Sequence, residues 1–480
     1  MRRHAVHAHS VRGYVTLLVL VFGGVCSLLI VSLVGYLFAE KQAELAYENR
    51  VKSFHIAEAG LEYYRWRLAH WPNDLTDGTG MPGPYTRTLR DPEGGDIGTF
   101  TLSISGASAC GKTLTARIAA TGRSVRDARI SRTISADYAR PTVASYATIT
   151  NSSVWVGADR VINGPYHSNG GIRMDGTHNA DVVSAVSSWS CTPSFGCSPS
   201  VDRPGVFGAG GPSGLWRYPA PTVDFAGIQV DLAELKGYAT TSGVYLPPSG
   251  SFGWKITLRA DGRVDAARVT QATQVLGFST ELGWVQERSV VQSTGPVTTY
   301  TVPASCPVVF AEDTVWLEGV AGQKLVVAAA DVSSASVDRS LILSGNITAI
   351  QSAGLTALAE RDVLIGLSVP DVMTIQGIFI AQKGRFGRNH YCSAECDSSR
   401  SGSEAVPSSL ASFVRRTSLT TLGTVVSNGR VGTKWTSGNT FLSGFSTRTD
   451  TYDRALQTAP PPFTPVISDD YVLTRWRDER

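Results

Sequence analysis

The stretch Val11-Arg12-Gly13-Tyr14-Val15-Thr16-Leu17-Leu18 decides how the chain is read. A short leader holding Arg2, Arg3, Arg12 and three histidines meets a glycine there, and an uncharged segment runs from Gly13 to Ala39. The first acid, Glu40, follows that segment. Basic residues ahead of an apolar span mark its cytoplasmic side. A secretory signal carries its small-residue cleavage site after the apolar core. Here the glycine comes before it, so cutting after Gly13 would leave the hydrophobic helix on the mature protein.

Outward from this junction, Tyr14 to Ala39 spans 26 residues. At ~1.5 Å per residue this gives about 39 Å of helix, against roughly 30 Å of bilayer hydrocarbon. Residues 14–39 are therefore expected to be transmembrane. Helical periodicity continues through Tyr47, Val51, Phe54, Leu61, Tyr64, Leu68 and Trp71, predicting one apolar stripe on a polar helix over 40–72. Pro72 followed by Asn73-Asp74 predicts its end.

Arg12-Gly13-Tyr14 ahead of an uncharged helix resembles the processing site of type IV prepilins. Ala57-Glu58-Ala59-Gly60-Leu61-Glu62 resembles the segment of PilX-type minor pilins at the same distance from the leader. The resemblance implies that a prepilin peptidase cuts after Gly13, leaving Tyr14 as an N-methylated new N-terminus. It further implies that the helix joins other pilin subunits in a filament drawn out of a bacterial cytoplasmic membrane. One departure is clear: major pilins carry glutamate at the fifth mature position, where this chain has Leu18. In the family that carboxylate is thought to pair with a neighbour's terminal amine, an interaction strengthened by apolar surroundings. Leu18 thus implies a minor pilin or pseudopilin, in a tip or priming position.

The chain has 480 residues, enough for several domains, and a net charge of +3. Without the three leader arginines, 40 basic residues face 40 acidic ones. That balance reads against a general nucleic-acid binder. Of seven cysteines, Cys26 lies in the apolar segment. The remaining even set suits disulfides in an oxidising compartment. Close spacing favours Cys191 with Cys197 and Cys392 with Cys396, leaving Cys110 and Cys306; the sequence does not fix the connectivity.

Residues 73–98 read as a Gly/Pro/Asp-rich loop, followed by strand-like segments from Thr99, Leu114 and Ala128. Together, 73–140 predict a small antiparallel sheet packed on the helix, as in pilin heads. Gly106-Ala107-Ser108-Ala109-Cys110-Gly111-Lys112-Thr113 matches the phosphate-loop pattern. That chemistry needs a helix after the lysine, and Leu114–Ile118 alternates like a strand instead; Asp331, after Leu325–Ala330, is a candidate metal-binding aspartate, and that run fits a buried strand equally well. Arg123, Arg126, Arg129 and Arg132 recur every third residue. In a strand that step alternates faces, so they make no single basic stripe.

From Pro141 the texture changes to short apolar runs separated by Gly and Asn turns, among them Val315–Gly319, Lys324–Ala328, Leu341–Gly345, Asp362–Gly366, Gly377–Ala381 and Gly423–Val426. This rhythm predicts a parallel β-solenoid over 141–224 and 301–470, with a sandwich as the alternative. Residues 225–300 read as an inserted α+β module, with a helix from Ile228 to Ala239 and a hairpin across Asp261-Gly262. Residues 471–480 read as a tail. His167-Ser168-Asn169-Gly170 and Tyr452-Asp453-Arg454-Ala455-Leu456 resemble the solenoid passenger of bacterial pilin-like surface proteins. The fold class is α+β, mainly β.

No catalytic constellation, cofactor or metal site stands out. His390, Cys392 and Cys396 offer three zinc ligands without an evident fourth; a disulfide across the short loop, with His390 exposed, is the preferred reading. His167 and His178 lie in turns, and Asp175, Asn179 and Asp181 read as turn formers rather than calcium ligands. Trp189, Phe195, Trp216 and Tyr218 suggest an adhesion loop, or equally a packed one. The expected function is a non-enzymatic filament subunit displaying a β-rich head at the cell surface. A permanently anchored surface protein is the alternative, and a glycan-active solenoid enzyme the third reading.

Overall fold

The computed structural model describes residues 12–72, 74–333, 337–394, 396, 404–438, 440–468 and 470–479, with Arg12, Gly13 and Thr113 in backbone only. The rest of the expected leader lies outside the described residues. The chain forms two compact units. Met1–Ser105, Ala116–Tyr138 and Arg475–Arg480 make the first, and Gly106–Thr115 with Ala139–Thr474 the second.

In the first unit, helix α1 runs unbroken over Arg12–His70, 59 residues, and stops just before Pro72. It is long and apolar enough to cross a membrane by length and composition. Strands β1 (Tyr85–Arg90), β2 (Asp96–Ala109), β3 (Lys112–Ser124) and β4 (Ser131–Ala139) form a five-stranded sheet with Val472–Glu479, in the order β1-β2-β3-β4 and then that last strand. β1 and β2 are antiparallel, Tyr85 lying opposite Leu102. The segment expected as a tail therefore completes the small sheet beside β4. Arg132 of β4 and Asp478 of the terminal strand pair at 2.5 Å.

Only part of the predicted stripe packs: Leu61, Tyr64 and Leu68 do, and Tyr47, Val51 and Trp71 do not. Ser53, Ile56, Ala57, Leu61, Tyr64 and Leu68 are buried, whereas Tyr47 is 70% and Trp71 49% exposed. Val51 is exposed as well, and Phe54 is half-buried against the edge of Trp476. The reason is close approach. A Cβ at Gly122 would strike the Ser53 carbonyl and the Ala57 amide, and one at Gly98 would strike Ile56. Phe100 sits 3.1 Å from where a Cβ of Gly60 would be. Close contact of helix and sheet selects small side chains on both surfaces, and small residues carry little periodic hydrophobic signal. Beyond the helix, Arg67–Asp74 at 2.5 Å and Arg87–Asp77 at 2.7 Å hold the loop into β1.

The second unit is built on parallel ladders. One runs from Val244–Leu246 through Val308–Ala311, Lys324–Ala329, Gly354–Ala359 and Val372–Ala381 to Arg415–Ser427. There the order breaks with the sequence. Arg415–Ser427 pairs next with Thr148–Thr150, which continues to Tyr166–Ser168, Val182–Ser184 and Trp216–Arg217. The first stretch of the unit thus stacks on its last. Entry and exit of the chain also meet, Thr142 bridging to Val466.

Several strands of this ladder are buried along their whole length, as in Val308–Ala311 and Gly354–Ala359. Both faces are covered. Leu246, Val327, Ala357 and Phe379 point to one core, while Phe310, Val326, Leu358 and Ile380 point to another. That explains continuous apolar runs in place of alternation. Helix α2 (Leu232–Ser242), N-capped by Asp231, supplies Leu235 and Ala239 to the second core. The expected module at 225–300 is not separate. Its strands Val244–Leu246 and Trp254–Leu258 are end rungs, parallel to Val308–Ala311 and Val315–Ala321. The hairpin across Asp261-Gly262 is present, Trp254–Leu258 being antiparallel to Arg263–Ser279.

At the non-sequential junction polar side chains stack like the strands. Asn151 Nδ2 donates to Asn428 Oδ1 at 2.8 Å, and Asn169 Nδ2 to Asn151 Oδ1 at 2.7 Å. Each amide satisfies the next along the stack, with Asn151 exposed and Asn169 and Asn428 half-buried.

Candidate functional site

One candidate site is α1 itself. Every residue from Tyr14 to Glu48 is exposed, Tyr14 at 68% and Leu18 at 44%. Helix packing on the sheet begins only at Asn49, so residues 14–39 present a bare apolar cylinder. An apolar surface of this extent is a place for lipid or other chains. Gly13 and Tyr14 lie in the first helical turn.

The phosphate-loop look-alike is the tip of the β2–β3 hairpin. Cys110 and Gly111 hold φ of 50° and 80°, a two-residue turn that returns directly into β3. Lys112 pairs with Glu234 at 2.6 Å, and Cys110 is bonded to Cys306. Asp331 is taken by Arg339 at 3.1 Å. Of the arginine series, Arg129 pairs with Asp127 at 3.0 Å and Arg132 with Asp478.

The other disulfides are Cys191–Cys197 and Cys392–Cys396. The Cys191 loop is a packed one. Trp189 meets Phe195 edge-on at 5.0 Å, Phe195 lies under Arg430 at 4.2 Å, and the Trp189 indole donates to the Pro204 carbonyl. Trp216 is also engaged, donating to His178 Nε2 at 3.0 Å; Tyr218 is 40% exposed. Asp175 accepts from Trp155, Arg173 and the Ala209 amide. Asn179 accepts from the Gly164 amide, and Asp181 faces Arg217 at 3.5 Å. Each is engaged by a different neighbour within the second unit.

Two buried polar clusters were not legible in the sequence. Arg160 pairs with Asp450 at 2.5 Å, beside Arg448 and Lys434 on Asp159. Elsewhere Glu287 accepts from Tyr391 at 2.5 Å and from Asn389 and Ser289, and burial pushes the Tyr391 phenol well up. Their partners lie about 100 to 290 residues apart, so no local pattern announces them. A solvent-open depression of ≈ 130 Å³ between Leu258 and Leu325 has no carboxylate or nucleophile in its wall.

Burial holds His167 and His178 below the usual histidine range. Their bonds suit neutral rings: His167 Nε2 meets Asn169 Oδ1 at 2.9 Å, and His178 Nδ1 meets the Ala180 carbonyl at 3.0 Å. With folded values depressed, the unfolded chain takes up protons first as pH falls. Their stabilisation is complete above the unfolded value near ~6.5 and is lost as pH drops from there through the folded values. Melting curves between neutral pH and pH 5 are expected to show the midpoint falling, with a shallower slope in His167→Gln. A flat profile would refute the neutral assignment.

No family model matches the chain, and no curated protein matches it. Among solved structures, the competence-associated pilin ComZ from Thermus thermophilus is similar at 14% identity, covering 90% of this chain and 97% of that one, with a TM-score of 0.27.

Proposed function

We propose that the chain is a minor pilin or pseudopilin subunit of the PilX type, without enzymatic activity. A prepilin peptidase cuts it after Gly13, and Tyr14 becomes the N-methylated terminus. The observation that carries this reading is the division of labour along α1: residues 14–39 are uncharged and bare, while Ser53 to Leu68 are seated on the chain's own sheet. The first half spans the cytoplasmic membrane and then packs with other subunits, and the β-rich head lies outside the cell. Leu18, lacking the usual carboxylate, fits a tip or priming position. The parallel ladders and the asparagine stack support a β-solenoid for the head, displayed for adhesion or assembly.

Co-expression with a prepilin peptidase tests the reading through the mass of the native N-terminus. Loss of the first thirteen residues with methylation of Tyr14 is expected, abolished by Gly13→Ala. An uncut wild-type chain would instead favour a permanently anchored surface protein.

A further inference from the structure

His390, Cys392 and Cys396 place Nε2 and two Sγ atoms within 4.8 Å of one another. His390 is half-buried rather than exposed as expected. Its backbone is fixed by a pair of hydrogen bonds to Phe278, each 2.9 Å. The ring packs near Trp284 and Trp435, with centroids at 6.1 and 5.7 Å. Nδ1 meets Ser443 Oγ at 2.6 Å, and the same oxygen accepts from the Tyr391 amide. Ser443 Oγ has the lone pairs to accept from both Nδ1–H and the Tyr391 amide, and in that tautomer the Nε2 lone pair faces sulfur. Nε2 is 3.5 Å from Cys392 Sγ and 3.9 Å from Cys396 Sγ. In the disulfide neither sulfur carries a hydrogen to donate to it.

We propose that these three side chains form a zinc site whenever Cys392 and Cys396 are thiols, as they are in the newly made chain. Tetrahedral zinc with bonds of about 2.3 Å to sulfur and about 2.0 Å to nitrogen sets N···S near ~3.5 Å and S···S near ~3.8 Å. Nε2 is therefore already at the ligand distance from Cys392 Sγ, and Cys396 Sγ has to move away from Cys392 and closer to the ring. Binding joins Zn²⁺ to two thiolates and one imidazole and releases two protons; water takes the fourth position, on the side of the exposed Cys396. Oxidation to the disulfide, with two electrons passing to a disulfide-exchange oxidant, removes both sulfur ligands. Ser443 is a positioning residue that orients the ring, as outer partners of metal-bound histidines do.

The test uses the full chain in detergent, reduced with a phosphine, titrated with Zn²⁺ alone and then alkylated, with each cysteine read by peptide mass. Zinc is expected to slow alkylation of Cys392 and Cys396 at least ~10-fold, with the oxidised chain taking up none at this site. His390→Ala should abolish the protection. Ser443→Ala, which keeps all three ligand atoms, should weaken zinc affinity by about 10–100-fold. Equal alkylation with and without zinc, or protection unchanged in His390→Ala, would overturn the site. Circular dichroism of the variants separates loss of a ligand from loss of fold.

Discussion

Replacing Asp450 by alanine is expected to destabilise the second unit by about 3–5 kcal/mol, the usual cost of leaving one member of a buried pair uncompensated. The Arg160 and Asp450 side chains are 5% and 7% exposed and 2.5 Å apart. Burial disfavours the Arg160 charge, but Asp450, together with Tyr166 and Asp159, outweighs it and holds that pKa above its ordinary value. Arg448 and Lys434 lie on Asp159 at 2.8 and 3.2 Å. The cluster therefore holds three cations and two anions, and losing Asp450 doubles its excess charge. The pair also spans the strands Thr440–Thr451 and Arg160–Asn163, which join the last part of the unit to the first.

Urea unfolding of the full chain in detergent, followed by tryptophan fluorescence, measures the loss. A cost below about 1 kcal/mol would show that the pair does not hold this junction. Asp159→Ala should cost less, its carboxylate being 23% exposed. Burial alone would raise the Asp159 carboxyl, yet Arg448 and Lys434 hold it below the usual range. Its stabilisation is thus present above the unfolded value near ~3.9 and lost as pH falls through the folded one.

The second large effect is expected from Cys110→Ser or Cys306→Ser. The bond joins residues 196 apart in sequence, within the second unit. Chain-entropy loss in the unfolded state for a loop of that length amounts to about 5 kcal/mol, and measured values usually fall somewhat below such figures. A loss of about 3–5 kcal/mol is therefore expected. At about 2.1 cal/mol/K per residue, a unit of roughly 350 residues would melt some 4–7 °C lower. Cys191→Ser, opening a loop of sequence separation 6, should cost less by this argument. Calorimetry of both variants decides, and equal shifts would refute loop closure as the source.

Much of this molecule is legible locally. The apolar run from Tyr14 to Ala39 and the stop at Pro72 define α1 within a residue or two. Asp261-Gly262 marks the hairpin, and the brief Val/Ile/Leu runs mark strands that the structure contains. The candidate site is legible in part: the junction at Gly13 is read from charge and hydropathy, and the short-range cysteine pairs from spacing. Orientation was legible only in part. The apolar stripe places Leu61, Tyr64 and Leu68 inward, as found, but also Tyr47, Val51 and Trp71, because bulky side chains carry the periodic signal. The structure buries Ser53 and Ala57, because Gly98 and Gly122 let backbones approach where a larger side chain would not fit.

By itself, then, the sequence determined the elements: one long helix, apolar at one end, and a succession of short strands. Their signals repeat within two to seven residues, the reach of a single helix or strand face. Only the tertiary structure decided which helix face is covered and that Val472–Glu479 closes the small sheet. It also decided that Thr148–Thr150 stacks on Val425–Ser427, and that Arg160 finds Asp450. These pairings join residues hundreds of positions apart, where packing and the satisfaction of buried polar groups choose the partner and no local pattern records the choice.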